Sequence, residues 1–460
     1  MPVSLKHPLY RKYEADWRML RDLVAGSRAV KERGSTYLPI PGGMDTDEYN
    51  AYKKRAVVYG ALGRTKQGLR GAVFRKELDY EGYADEEHLK DVTLQGESLQ
   101  AIARTVIDEL LEIGRLGILV DTAEGAERPW MSIYTAENIV NWRTTRDKSG
   151  KEIITLLVLR EDRNEIDADD PFKTNRIERY RVIETIDGFY QYTIYEATDK
   201  NKKEDFKVVE GPINPTRNGK RMDFVPFTFI NTDGLTTSVP KPPLLDLAEI
   251  NMSHYITSAD LEHGAHYTAL PMAYFAGFDP GTSVKLGSSN VMVTDSSDAK
   301  AGYLEYTGQG LGSLQDIKQD KQKLMAVLGA RLLEEQSKSS EAYDSRRLRL
   351  SGETGSLADM VDIAGEGLGL SLRFMQWWQQ KPEDAVVKLN NDFLDQQIDP
   401  QTIQALFQAL QAGEISFDTW FFNLKRGELV PPDVDAEDEQ DRIDMRPPPL
   451  PEPEPSGFEE

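Results

Sequence analysis

The chain has 460 residues, 39% of them hydrophobic, and sets 77 Asp plus Glu against 55 Lys plus Arg for a formal net charge of −22. That length predicts roughly two to four domains with apolar material for several small cores, which excludes a wholly disordered chain. The acidic balance has the wrong sign for a protein that wraps nucleic acid by neutralising phosphates, although a local basic patch stays open. The absence of cysteine removes disulfide scaffolds, thiolate metal sites, iron–sulfur clusters and cysteine nucleophiles, and fits folding in a reducing cytoplasm.

From Pro8 to Leu119 the pattern is mainly helical. YRKYEADWRMLRDLVAGSRAVKER places Tyr13, Trp17, Leu20, Leu23 and Val24 on one face, with Gly34 as the stop. A second helical run is expected from near Asp47 to Arg70. LQAIARTVIDELLEIGRLGILVD then reads as a helix to about Ile113, a break at Gly114 and a buried strand at 117–120. WMSIY, NWR and IITLLVLR continue as strands. Asp187-Gly188 sits between two alternating runs, 177–198, and supplies the positive φ angles of a type I′ hairpin turn. VPFTFI, 225–230, is one more strand, which Pro226 pushes to a sheet edge.

After the turn-rich TDGLTTSVPKPP, a long helix is expected to about residue 268, with Pro242 and Pro243 at its boundary. A small β-containing module follows at 269–313. A second helix, 314–335, carries Ile317, Leu324, Val327, Leu328 and Leu332 on its buried side. The small and basic residues of SKSSEAYDSRRLRLSGETGS predict a loop, and a third long helix starts near Ser356, where Gly365, Gly367 and Gly369 permit close packing or a kink. Two short helices, 400–412 and 416–427, end the folded part. Residues 433–460 hold eleven acids and two bases and end in PPPLPEPEPSGFEE, a disordered or extended tail.

Candidate chemistry is sparse. MPVSLKHPLYRKYEADW lacks a signal-peptide apolar run, and the charge-free stretch 264–278 is too short to span a bilayer, so a soluble, unsecreted chain is expected. No phosphate-cradling GxxxxGK[ST] loop, GxSxG, HExxH or kinase set occurs, and no catalysis is expected. GQGLGS and GEGLGL lack nucleotide-fingerprint spacing. His263 and His266 lie three apart on a helix with His254 nine earlier, so two could share one face, but a metal needs a third and fourth ligand and the nearby Asp260 and Glu262 read as an ordinary polar helix face. The acidic runs 167–170 and 433–441 lack EF-hand periodicity, so neither cofactor nor metal is expected. The basic concentration that stands out is Lys338, Arg346, Arg347 and Arg349 in the Ser/Gly-rich break. It reads either as a loop facing phosphates or as salt bridges between subunits.

The order of these parts resembles the portal proteins of tailed bacteriophages. FVPFTFINTDGLTTSVPKPPLLDLAEINMSHYITSAD looks like the run into the first stem helix, NVMVTDSSDAKAGYLEYTGQGL like the clip, and SRRLRLSGETGSLADM like the tunnel loop entering the spine helix at Ser351-Gly352. YLPIPGG, TKQGLRGAVFRK, EIGRLGILVD and ENIVNWR together look like a divergent portal-like branch.

The resemblance implies an α+β, mainly helical fold. It would have a wing over 1–242, stem helices at 243–268 and 314–335, a clip at 269–313, and a tunnel loop at 336–355. A spine helix at 356–380, a helical crown at 381–432 and the tail would follow. It further implies a homo-oligomeric ring, usually of twelve subunits, at one capsid vertex of a virion, assembled in the host cytoplasm. Double-stranded DNA pumped by a terminase large subunit would pass through the ring. Major capsid and scaffold proteins and tail adaptor proteins would be its partners, and Lys338, Arg346, Arg347 and Arg349 would form a sparse basic ring in an acidic channel. The alternatives are a soluble acidic scaffold or adaptor with no DNA role and, more weakly, a carboxylate-dependent hydrolase.

Overall fold

The computed structural model describes the chain apart from residues 1–2, 123–127, 168–169, 199–204, 270–271, 278–296, 305–307, 330–342, 392, 394–399, 427–428, 431–433 and 446–460, and apart from the side chains of 272, 304, 309, 343–356, 400 and 426. The fold is α+β and mainly helical. It divides into two compact units, Met1–Asn391 and Asp392–Glu460.

The first unit opens on α1 (Pro8–Ala25), whose proline occupies the first turn, where its missing N–H costs nothing. Trp17, Leu20 and Leu23 are buried as the spacing predicts. The helix stops earlier than the sequence suggests. Gly26 adopts φ 93°, its N–H closes on the Asp22 carbonyl, and α2 (Ser27–Glu32) starts afresh. The second predicted run likewise splits into α3 (Thr46–Arg55), opened by an Asp45/Glu48 capping box, and α4 (Ala61–Val73).

Next come β1 (Asp79–Glu81), α5 (Glu86–Leu89) and α6 (Leu99–Glu112), whose N-terminus Ser98 caps by accepting from the Ala101 N–H. Gly114, at φ 81°, turns the chain into the fully buried β2 (Arg115–Asp121). β3 (Trp130–Thr135), β4 (Ile139–Arg146) and β5 (Glu152–Arg160) follow, then the hairpin of β6 (Arg163–Ile166) and β7 (Thr174–Ile177). β8 (Arg179–Ile186) and β9 (Phe189–Ala197) form the hairpin expected from Asp187-Gly188, at φ 52° and 81°.

After β10 (Phe206–Ile213), the two-residue strands β11 (Thr216–Arg217) and β12 (Lys220–Arg221) lead to β13 (Phe227–Asn231). One antiparallel sheet has the order β10-β9-β8-β5-β4 and another β13-β2-β3, so the strand after Pro226 does lie on an edge.

Then come α7 (Leu245–Thr268), a hairpin of β14 (Met272–Ala276) and β15 (Lys300–Leu304), α8 (Gln309–Val327), α9 (Tyr343–Gln379) and β16 (Val386–Lys388), which pairs with β1. Of the clip phrase NVMVTDSSDAKAGYLEYTGQGL, 290–311, residues 290–296 and 305–307 lie outside the described residues. The second unit contains α10 (Pro400–Gln411), α11 (Phe417–Arg426) and α12 (Ala436–Asp444). The helix α12 falls within the segment expected to be tail and has no buried residue.

The glycines of α9 are there for contact. A Cβ on Gly365 would sit 2.7 Å from the Val387 carbonyl oxygen, and one on Gly367 would sit 2.5 Å from Ile230 Cδ1. Gly365→Ala therefore gains helix propensity of about 1 kcal/mol but drives a methyl into backbone that cannot swing aside. A net loss of about 1–2 kcal/mol is expected in urea unfolding, whereas Gly312→Ala in α8, with nothing within 4 Å, should gain stability.

Candidate assembly and channel site

The helices α7 and α8 lie antiparallel. Where they meet at one end, a Cβ on Gly264 would be 2.7 Å from Leu311 Cδ2, and Gly308, at φ 61°, sits under Thr268. At the other end Lys321 Nζ donates to the Ser253 carbonyl at 3.1 Å and to Thr257 Oγ1 at 2.6 Å. Gln322 Nε2 lies 3.2 Å from His254 Nε2, beside the Tyr59 ring. Polar side chains thus stitch the pair together, and Met325 is the fully buried apolar side chain of α8.

Flanking this seam, α8 carries apolar side chains that are left exposed among the described residues. Ile317, Leu324, Val327 and Leu328, expected on its buried side, are 44–51% exposed. This is a correction to the sequence reading: the helical period identifies an apolar stripe but not what buries it. Leu332, the fifth residue of that stripe, lies outside the described residues. The β14–β15 hairpin at the end of the pair exposes Tyr274 and Tyr303 as well.

The predicted basic site is described in part. Lys338 lies outside the described residues. Arg346, Arg347, Arg349, Ser351 and Gly352 fall in the first turns of α9, which begins at Tyr343, so 343–355 is helical where a loop was expected. Arginine and leucine are good helix formers, and in RRLRL they outweigh the Ser-Gly punctuation that follows.

The three histidines of α7 are not brought together as ligands. His254 is buried against Gln322, His263 packs edge-on to Tyr52 and Tyr267, and His266 packs on Tyr267. Among the described residues no group of three His, Asp or Glu could hold a metal ion, and no helix is long and apolar enough to cross a membrane.

Burial, with Lys318 and Lys321 nearby, holds His254 down at about 4 against an ordinary 6.5. Because the folded value is the lower one, the unfolded chain takes the proton first. The stability that depends on a neutral ring is complete above pH 6.5 and is lost as pH falls towards 4. Up to about 3 kcal/mol is at stake. Melting temperature should fall more steeply across that window for the wild-type chain than for His254→Gln.

Two buried charge clusters escaped the sequence reading. Arg21 contacts Glu109 at 2.6 Å, Glu137 at 2.9 Å and Glu112 at 3.1 Å, and Lys66 reaches Glu112 at 2.5 Å, tying α1, α4 and α6 together. Arg115 is fully buried between Trp142, 4.0 Å from its guanidinium carbon, and Phe229 at 5.2 Å, while His7 stacks on Trp142 at 3.9 Å. None of its three side-chain nitrogens has a hydrogen-bond partner among the described residues.

Residues 243–379, running from the start of α7 to the end of α9, match a family described as a domain of unknown function, DUF4055. The match covers less than a third of the chain. No curated protein matches. Among solved structures the chain is similar to one in the virion of a native gene transfer agent particle, with 11% identity, 85% of this chain and 94% of that chain covered, and a TM-score of 0.38. It is also similar to one in the neck of an empty particle of that kind computed with C6 symmetry, at 10% identity, 84% and 95% coverage and a TM-score of 0.42. A third, from the neck of a native particle computed with C12 symmetry, gives 9% identity, 86% and 98% coverage and a TM-score of 0.37. Likeness at this level leaves the function to the chain's own geometry.

Proposed function

We propose that the chain is the structural subunit of a closed ring, built like a portal protein, at one vertex of a phage-like capsid. Double-stranded DNA would pass through the ring during packaging and ejection without being chemically changed. The observation that carries this reading is the antiparallel α7/α8 pair, joined by polar stitching and Met325, with Ile317, Leu324, Val327 and Leu328 of α8 left exposed beside that seam. A contiguous exposed apolar patch of that kind calls for a protein neighbour, and a face that meets a different face on the next copy generates rings when the rotation closes.

In this reading α7 and α8 are the stem, the β14–β15 hairpin belongs to the clip, α9 is the spine and the second unit is the crown. Terminase, capsid, scaffold and tail adaptor proteins are the partners, and the virion is the location. The acidic chain repels DNA and lets it slide, while Lys338, Arg346, Arg347 and Arg349 center it.

The cysteine-free sequence offers a direct test. In Leu324→Cys, maleimide labelling should slow at least tenfold in the assembled fraction relative to the unassembled one, and unchanged labelling would remove the stripe from the interface. Reversing the four basic residues to Glu should leave ring formation intact and abolish DNA retention. Retention at wild-type level would end their assignment to the channel.

A further inference from the structure

The β6–β7 hairpin is a separate two-stranded sheet with no core of its own. Every residue of β6 is exposed, and the hairpin is held by ion pairs, Arg176 to Asp162 at 2.5 Å and Arg163 to Glu196 at 3.5 Å. It nevertheless carries two of the most exposed large apolar side chains among the described residues, Ile166 at 67% and Phe172 at 97%.

The described residues of the turn that presents Phe172 are tied together by hydrogen bonds. The Phe172 N–H donates to Asp170 Oδ1 at 3.0 Å, the Lys173 N–H to the Asp170 carbonyl at 3.0 Å and the Asp167 N–H to the Lys173 carbonyl at 2.8 Å. Asn175 Nδ2 donates to Asp167 Oδ2 at 2.7 Å, and Lys173 pairs with Asp167 at 3.3 Å. A backbone held in advance in this way loses little further freedom when the ring it carries enters a pocket, where an aromatic makes a strong anchor. The setting is acidic, with seven acids and three bases between Glu161 and Glu178.

We propose that Phe172, with Ile166 on the same hairpin, is the anchor by which this chain docks a different protein, one that offers an apolar pocket rimmed by Lys and Arg. Two cavities formed by the described residues fail as the acceptor on a second copy. A pocket of about 250 Å³ lined by Pro41, Met44, Leu311 and Leu314 carries Asp260 and no Lys or Arg. A groove of about 560 Å³ along α9 sets Asp362 and Glu366 against Arg373 and Lys388 and is charge-balanced. The acidic surplus of the hairpin itself further favours a basic partner. The inference does not depend on the ring and stands or falls separately from it.

The test places photoreactive benzoylphenylalanine at position 172 of the full chain in the cells that make it, and identifies the crosslinked peptides by mass spectrometry. The expected result is a single foreign protein, crosslinked at a segment of apolar residues flanked by Lys or Arg. Once purified, that protein should bind the wild-type chain at least tenfold more tightly than Phe172→Ser or the double reversal Asp167→Lys/Asp170→Lys, and more weakly as salt rises. Phe172→Ser should melt where the wild-type chain does, because its ring lies in solvent, so lost binding cannot be ascribed to misfolding. Crosslinks confined to other copies of this chain, no crosslink, or equal binding by Phe172→Ser would overturn the proposal.

Discussion

A chain carrying Ile317→Lys and Leu324→Lys is expected to remain a folded monomer at concentrations where the wild-type chain assembles. The two side chains lie seven residues apart on one face of α8, flanking the seam with α7, with Leu328 continuing the stripe. Fully burying a side chain of this size contributes about 1.5–3 kcal/mol relative to leaving it exposed. Four that are about half exposed therefore offer on the order of 3–6 kcal/mol at each contact between subunits.

Two lysines remove about half of that stabilisation and add ammonium groups that must lose their water without partners. Closure should then weaken by at least a hundredfold. The α7/α8 pair itself should survive, because Met325, Lys321 and Gln322, which make its contacts, are unchanged. Circular dichroism and melting temperature close to wild type, with the native mass of one chain, is the expected outcome. Assembly at wild-type concentration would show that the stripe is covered by something else.

Arg115→Met is expected to raise stability, which is the opposite of what loss of a large, fully buried side chain ordinarily does. The guanidinium has no hydrogen-bond partner among the described residues, and burial pushes it down to about 9. Stacking on Trp142 and Phe229 returns some of the desolvation cost, but it satisfies none of the N–H groups. Replacing a buried charge with an apolar side chain of similar volume is often neutral or stabilising by about 1–4 kcal/mol. Methionine keeps the length and the contact with both rings. The unfolding midpoint of the purified chain in urea should move up. A loss of about 3 kcal/mol or more would show that Arg115 is paired in solution, since that is the scale of breaking a buried pair.

Much of the fold was legible wherever the determinant was local. Asp187-Gly188 placed the β8–β9 turn, Gly114 placed the step from α6 to β2, and Pro226 placed β13 at an edge, each through a backbone constraint read from one or two residues. Gly365 and Gly367 announced close packing, and a strand carbonyl and an isoleucine side chain are what approach them.

Features set by distant partners were not legible. Arg115, Trp142 and Phe229 come from three strands of two sheets, and no spacing links them. Arg21 meets carboxylates about 90 to 116 residues away. The α8 stripe was recognised but assigned to the chain's own core, because periodicity is the same whether the covering surface belongs to this copy or to the next. Gly26 and the residues 343–355 were misjudged for a shared reason: punctuation and helix formers competed within a few residues, and composition does not decide which prevails.

Ring formation is tested most directly by the native mass of the purified protein, measured over a range of concentrations together with negative-stain images of the same fractions. Closed rings with a central hole at about 620 kDa, twelve times the 51.9 kDa chain, are the predicted result at the upper concentrations. A monomer or dimer that persists at every concentration, with no ring in any image, would contradict it.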